Sequence, residues 1–198
     1  MFSMLEPVFE SPLSHRVADN TYVDMHEITT RGMIDLRGQA TDRKFMAATK
    51  LILGVELPKA PRTSQSFGDI KVLWLSTDQW LILCGRARAP ALTRELQGAL
   101  ATLHALVVDV SDMRAVIRLE GARVREVMMK GCSLDLLSAA YAPGTVRRVR
   151  FAEVAALLNI VEDTVIDLYV FRSYASYAWD FLLKAARKGS EVAALTKV

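Results

Sequence analysis

The stretches Ile34-Asp35-Leu36-Arg37-Gly38 and Ile117-Arg118-Leu119-Glu120-Gly121 are one phrase written twice, and they decide how the chain folds. Each runs apolar, charged, Leu, charged, Gly, and the shift from position 34 to 117 is 83 residues. Strict alternation marks a half-buried strand, with Ile34 and Leu36, and again Ile117 and Leu119, on the covered face. A helix is expected after each glycine. The first opens behind Thr41 as N-cap and carries Phe45, Thr49, Ile52 and Leu53 on one stripe. The second carries Val124, Val127 and Met128, with Leu134 beyond Gly131. Each copy then passes a proline loop, Pro58–Pro61 or Pro143–Gly144, into two strands. These are Ile70–Ser76 and Trp80–Cys84 in one copy, Val154–Ile160 and Val165–Phe171 in the other, with Asp78 and Asp163 in the turns.

The closing helices repeat as well. Leu92, Leu96, Ala99, Leu100 and Leu103 have the spacings of Tyr174, Ala178, Phe181, Leu182 and Ala185, at a shift of 82 from 92 to 174. Pro90 suits a first turn, Ser173 an N-cap and Gly189 a position just past a helix end. The expected fold class is therefore α+β: duplicated β-α-β-β-α units, with antiparallel sheets and helices on one face. The units divide as an N-terminal arm, 1–27, a first subdomain, 28–105, and a second, 106–198, which opens with an extra strand at Leu106–Val110.

Composition narrows the function. The chain has 198 residues, a net charge of +3 and 24% charged residues, near the ~25% of ordinary globular domains. No apolar run approaches the ~18 residues of a membrane-spanning helix. Glu6, Pro7 and Glu10 are unlike the basic start of a secretory signal, so a cytoplasmic, membrane-free protein is expected. Two cysteines, Cys84 and Cys132, are too few for a disulfide scaffold or a thiolate metal site. Hydrophobic residues reach 52%, which suits a chain that associates with itself or with partners.

Charge is unevenly placed. Residues 1–27 set Glu6, Glu10, Asp19, Asp24 and Glu27 against Arg16 alone. With Met1, Phe2, Leu5, Val8 and Phe9 as apolar anchors, this arm reads as an extended segment lying on another surface. Residues 114–150 are basic: Arg114, Arg118, Arg123, Arg125, Lys130, Arg147, Arg148 and Arg150 face only Glu120, Glu126 and Asp135. The block lacks a stacking platform and a phosphate loop, so an acidic partner surface or a solvated face is expected rather than nucleic acid. An anion-binding module built on it is a further reading.

No catalytic constellation emerges. His15, His26 and His104 are scattered, and His26 beside Asp24 and Glu27 lacks a third metal ligand. His104 is expected to be a partly buried, hydrogen-bonded residue. Cys132 stands near Lys130, which would lower a thiol pKa, but a buried cysteine is the simpler expectation. Ser111-Asp112 lacks a nucleophile elbow, and Trp74, Trp80 and Trp179 sit among core-type neighbours. Catalytic, cofactor-binding and metal residues are accordingly expected to be none in this chain.

Several motifs together resemble a known family. They are Leu53-Gly54-Val55-Glu56-Leu57-Pro58, Leu73 to Leu81 (Leu-Trp-Leu-Ser-Thr-Asp-Gln-Trp-Leu), Val108-Asp109-Val110-Ser111-Asp112, Leu119-Glu120-Gly121-Ala122 and Gly131 to Leu136. In this order and spacing the chain resembles, over roughly 28–190, the gamma subunits of heterotetrameric sarcosine oxidase. That family is similar in fold to the glycine-cleavage T-protein, a folate-dependent aminomethyltransferase. The resemblance implies a structural subunit supporting oxidative demethylation of sarcosine to glycine, in one-carbon metabolism. It places FAD, FMN, NAD and tetrahydrofolate in partner subunits and makes the alpha, beta and delta subunits the partners. Asp163 and Asp167 are the acids nearest the T-protein's catalytic position, and their neighbours do not match it. The alternative is a free-standing folate-binding or one-carbon-transfer protein on the same fold.

Overall fold

The computed structural model describes residues 9–192. The apolar anchors Met1, Phe2, Leu5 and Val8 of the arm lie outside the described residues. Strands β1 (Asp24–Glu27) and β2 (Arg31–Arg37) lead into α1 (Arg43–Leu53). Strands β3 (Ser64–Phe67), β4 (Ile70–Ser76) and β5 (Gln79–Gly85) follow, then α2 (Ala89–Leu100). The second copy runs β6 (Leu106–Asp109), β7 (Arg114–Glu120), α3 (Val124–Met129), β8 (Val146–Phe151), β9 (Val154–Glu162), β10 (Val165–Phe171) and α4 (Ala175–Ala185). Three strands lie beyond the expected set, β3 and β8 in the two copies and β1 in the stretch expected to be an arm, and all three are edge strands.

The sheets are ordered β3-β4-β5-β2-β6 and β8-β9-β10-β7-β1, every pair antiparallel. The copies have exchanged their first strands. Strand β6 opens the second copy but pairs with β2, and β1 of the first copy pairs with β7. The exchange is matched residue for residue: Met25 lies opposite Leu119, and Val107 opposite Leu36. Sheet membership therefore does not follow the division at 105/106. The arm is likewise part of the fold, since residues 24–27 form a strand and Leu13 is buried in the second core.

Three cores give four layers. Ile34, Leu36, Trp80 and Ile82 of one sheet pack under α1 and α2 around Phe45, Leu92 and Leu96. Ile117, Leu119, Ile166 and Leu168 of the other pack under α3 and α4 around Val127, Ala178 and Leu182. The opposite faces meet through Met33, Leu73, Leu81 and Leu83 against Val116, Val146, Leu157 and Tyr169. The order is helices, sheet, sheet, helices, so each strand face is covered over the middle of the molecule.

Local chemistry shifts some boundaries. Asp42, not Thr41, caps α1, its carboxylate accepting from the Lys44 and Phe45 amides, and Gly54 ends it in the left-handed region at φ 70°. Ser173 lies within a short 3-10 turn at 172–174 and makes no cap bond. The closing helices superpose at a shift of 86 rather than 82. The Arg86 and Arg172 amides, which open them, donate to Thr30 and Met113 in corresponding loops. A slip of four residues is nearly one helical turn, so the apolar spacings match almost as well in the wrong frame.

Candidate functional site

The three histidines are not brought together. His15 and His104 are exposed, the latter against expectation because it follows α2 in the turn before β6. His26 lies on β1 opposite Arg118. No cluster of His, Cys, Asp and Glu able to hold a metal occurs among the described residues. Ser111 is a structural hydroxyl, donating to Asp109 at 2.6 Å and accepting from the Met33 amide at 3.0 Å, while Asp112 pairs with Arg86.

Lys130 turns away from Cys132. Its ammonium reaches the Tyr22 hydroxyl at 3.0 Å and the Ala185 and Ser190 carbonyls at 2.8 and 2.5 Å. Burial raises the Cys132 pKa, and its thiol donates to the Met128 carbonyl. Burial likewise pushes Cys84 up to about 11. Neither environment favours a thiolate nucleophile. Trp80 and Trp179 are core, and Trp74 is half-buried.

The basic block is largely consumed by internal bonds. Arg123 and Lys130 hold Glu126, Arg125 holds Asp163 and the Leu136 and Tyr141 carbonyls, and Arg150 holds Glu153. Glu126 is buried, which favours protonation, yet the Val192 amide, Arg123 and Tyr22 together hold its carboxyl below the usual range. This spacing of partners makes a structural tie rather than an open basic face.

What the sequence does not reveal is the charge between the sheets. Strand alternation sends Arg31, Lys71, Arg118, Asn159 and Asp167 to the inner faces, at one end of the apolar seam. Asp167 is 1% exposed and takes a two-pronged bond from Arg118, Nε to Oδ1 at 2.7 Å and Nη2 to Oδ2 at 3.0 Å. Arg31 approaches the same carboxylate at 3.6 Å. At the other end Gln79 bridges Asp35 and Arg148, beside a cleft of about 430 Å³ that Arg37, Arg114 and Phe171 also line. Phe171, Leu106 and Val108 are exposed apolar side chains, the latter two on the edge strand β6. The arm crosses a third place, where Phe9 lies beneath the guanidinium of Arg86 and beside Arg172, at 4.0 and 5.9 Å.

The sarcosine oxidase gamma subunit family model matches residues 37–188. The chain belongs to this family. The gamma subunit of sarcosine oxidase from Corynebacterium sp. (strain U-96) is 35% identical over 126 residues, 61% of this chain. That match spans 58% of the curated relative, a little over half its length. A chain of the heterotetrameric sarcosine oxidase from Corynebacterium sp. U-96 superposes with a TM-score of 0.83 at 26% identity, over 93% of this chain and 97% of that one. The aminomethyltransferase T of the Bartonella henselae glycine cleavage system shares the fold, with a TM-score of 0.64 at 12% identity, over 87% of this chain and 48% of that one. The gamma-family match begins inside β2, so the arm and β1 precede it.

The folate that an aminomethyltransferase-like fold suggests finds no fitting space along the middle of the seam. Met33, Leu73, Leu83, Val116, Leu157 and Tyr169 fill it and are each at most 1% exposed. The residues present also form no glycine-rich nucleotide loop.

Proposed function

We propose that this chain is the gamma subunit of a heterotetrameric sarcosine oxidase. It would assemble with alpha, beta and delta subunits that hold FAD, FMN, NAD and tetrahydrofolate, and support the oxidative demethylation of sarcosine to glycine in the cytoplasm. The observation that carries this reading is the superposition over 97% of a chain of that enzyme. The packed seam between the sheets supports a role in assembly over a role in chemistry. Apolar side chains fill the middle of the seam and make the two sheets one rigid body. The same packing weighs against a free-standing folate protein. On this reading the exposed Phe171, Leu106 and Val108 are partner contacts, since obligate interfaces are apolar.

The test is co-expression of the tagged chain with the three other subunits. Co-purification of a complex with a flavin spectrum and sarcosine-dependent peroxide formation is expected. An active complex that forms equally well without this chain would overturn the proposal.

A further inference from the structure

The charge between the sheets does not balance, and the imbalance sits beside open space. Arg31, Lys71 and Arg118 all act on the single buried carboxylate of Asp167. Arg118 bonds both oxygens of that carboxylate, while Arg31 stands off at 3.6 Å with a buried Nε that has no hydrogen-bond partner among the described residues. Lys71 has no closer counter-ion of its own: burial lowers its pKa, and Arg31 and Arg118 push the same way. Two further carboxylates stand nearby without reaching Arg31: Asp69 pairs with Arg88 at 2.7 Å, and Glu120 lies 3.9 Å from Arg118.

Beside these cations the sheets part into a cleft of about 400 Å³, lined by His26, Thr30, Arg31, Asp69, Gly85 and Arg118. Gly85 lies opposite Arg31 in the β2–β5 ladder, and a Cβ built there would meet nothing within 4 Å. The opening is thus adjacent to the under-coordinated guanidinium. A buried guanidinium N–H without an acceptor is costly, and the planar fork of arginine matches a carboxylate.

We infer that this cleft is a binding site for a carboxylate, which completes the coordination of Arg31 and lies within the field of Lys71 and Arg118. The carboxylate arrives either on a small organic acid or on an acidic side chain of a partner subunit. The second source rests on the assembly proposed above; the first does not.

The full-length chain distinguishes them. Its thermal midpoint is measured in acetate and in succinate against sodium chloride of equal ionic strength, for wild type, Arg31→Gln and Lys71→Met. A rise of about 2 °C or more in the wild type, absent from both variants, identifies a free carboxylate as ligand. In parallel the same variants are co-expressed with the partner subunits, with wild-type assembly as control and circular dichroism as the check on folding. No carboxylate-specific rise, together with at least tenfold lower recovery of partners by a folded variant, identifies a partner carboxylate. Equal midpoints in carboxylate and chloride, with unimpaired co-purification, overturn the site. Lys71→Met removes a buried charge without breaking the Arg118–Asp167 pair, so it remains informative if Arg31→Gln does not fold. Failure of the wild type itself to assemble would count against the subunit reading and leave the thermal measurement to decide the site.

Discussion

Trp80→Ala and Trp74→Ala separate two side chains that face each other across one hairpin. The two residues are paired between β4 and β5, and a sequence reading treats them alike. Trp80 is 0% exposed, packs on Phe45 at 5.8 Å between ring centres, and donates its indole N–H to the Pro58 carbonyl at 2.8 Å. Its removal empties an indole-sized space under α1, worth about 3–5 kcal/mol. It also leaves the Pro58 carbonyl short of a donor, adding ~1 kcal/mol or more. Trp74 is half-buried, and its truncation should cost roughly half the first figure, in proportion to the apolar area lost. Against a stability of ~5–15 kcal/mol, Trp80→Ala brings the domain to the edge of unfolding and Trp74→Ala does not. Urea titration followed by far-UV dichroism measures both midpoints. Equal midpoints for the two variants, or a lower one for Trp74→Ala, would refute the assignment of Trp80 to the core beneath α1.

Gly131→Ala places a Cβ 2.3 Å from the buried Phe151 ring and should destabilise by about 1–3 kcal/mol, whereas Gly98→Ala, where a Cβ meets nothing, should be neutral or stabilising; differential denaturation compares them. Glu126→Gln should cost ~1–3 kcal/mol at neutral pH. Because the folded carboxyl is held low, its contribution is present above the unfolded pKa of about 4.3 and is lost as pH falls through the folded value, so the variant's stability curve should be flatter on the acid side. Lys71→Met should raise the midpoint at pH 7, since burial lowers the folded pKa and the ammonium is therefore penalised below it. That advantage should shrink as pH rises through the lowered folded value and be gone above the unfolded lysine's pKa of about 10.4. Cys84 and Cys132 should react with a disulfide reagent at pH 7.5 far more slowly than a free thiol; rapid native-state labelling of Cys132 would revive a reactive-cysteine role.

Much of the fold was legible because it rests on period. Alternation at Ile34–Gly38 and Ile117–Gly121, the stripe of Phe45, Thr49 and Leu53, and Asp78 in its turn each reflect an interaction within a few residues. The closing helices are legible too, but their spacing fits a frame one turn out, since a 3.6-residue period barely distinguishes a shift of four. His104 and Lys130 were misplaced for another reason: where an exposed turn or a long amine ends depends on what packs over it.

Periodicity and motif order in the chain carry the repeat, the helix-covered strand faces and the family resemblance. Helices on one side of each sheet follow from the alternation of Ile34 and Leu36, and of Ile117 and Leu119, with charged neighbours. Only the tertiary structure decided that β1 and β6 change places, since a backbone edge offers the same N–H and C=O groups to either copy and no side chain announces which one will pair. It alone decided, too, that the second faces of the sheets would close on each other. That closure takes Asp167, Arg31 and Lys71, which alternation marks merely as outward-facing polar residues, and buries the carboxylate between half-buried cations that it must answer.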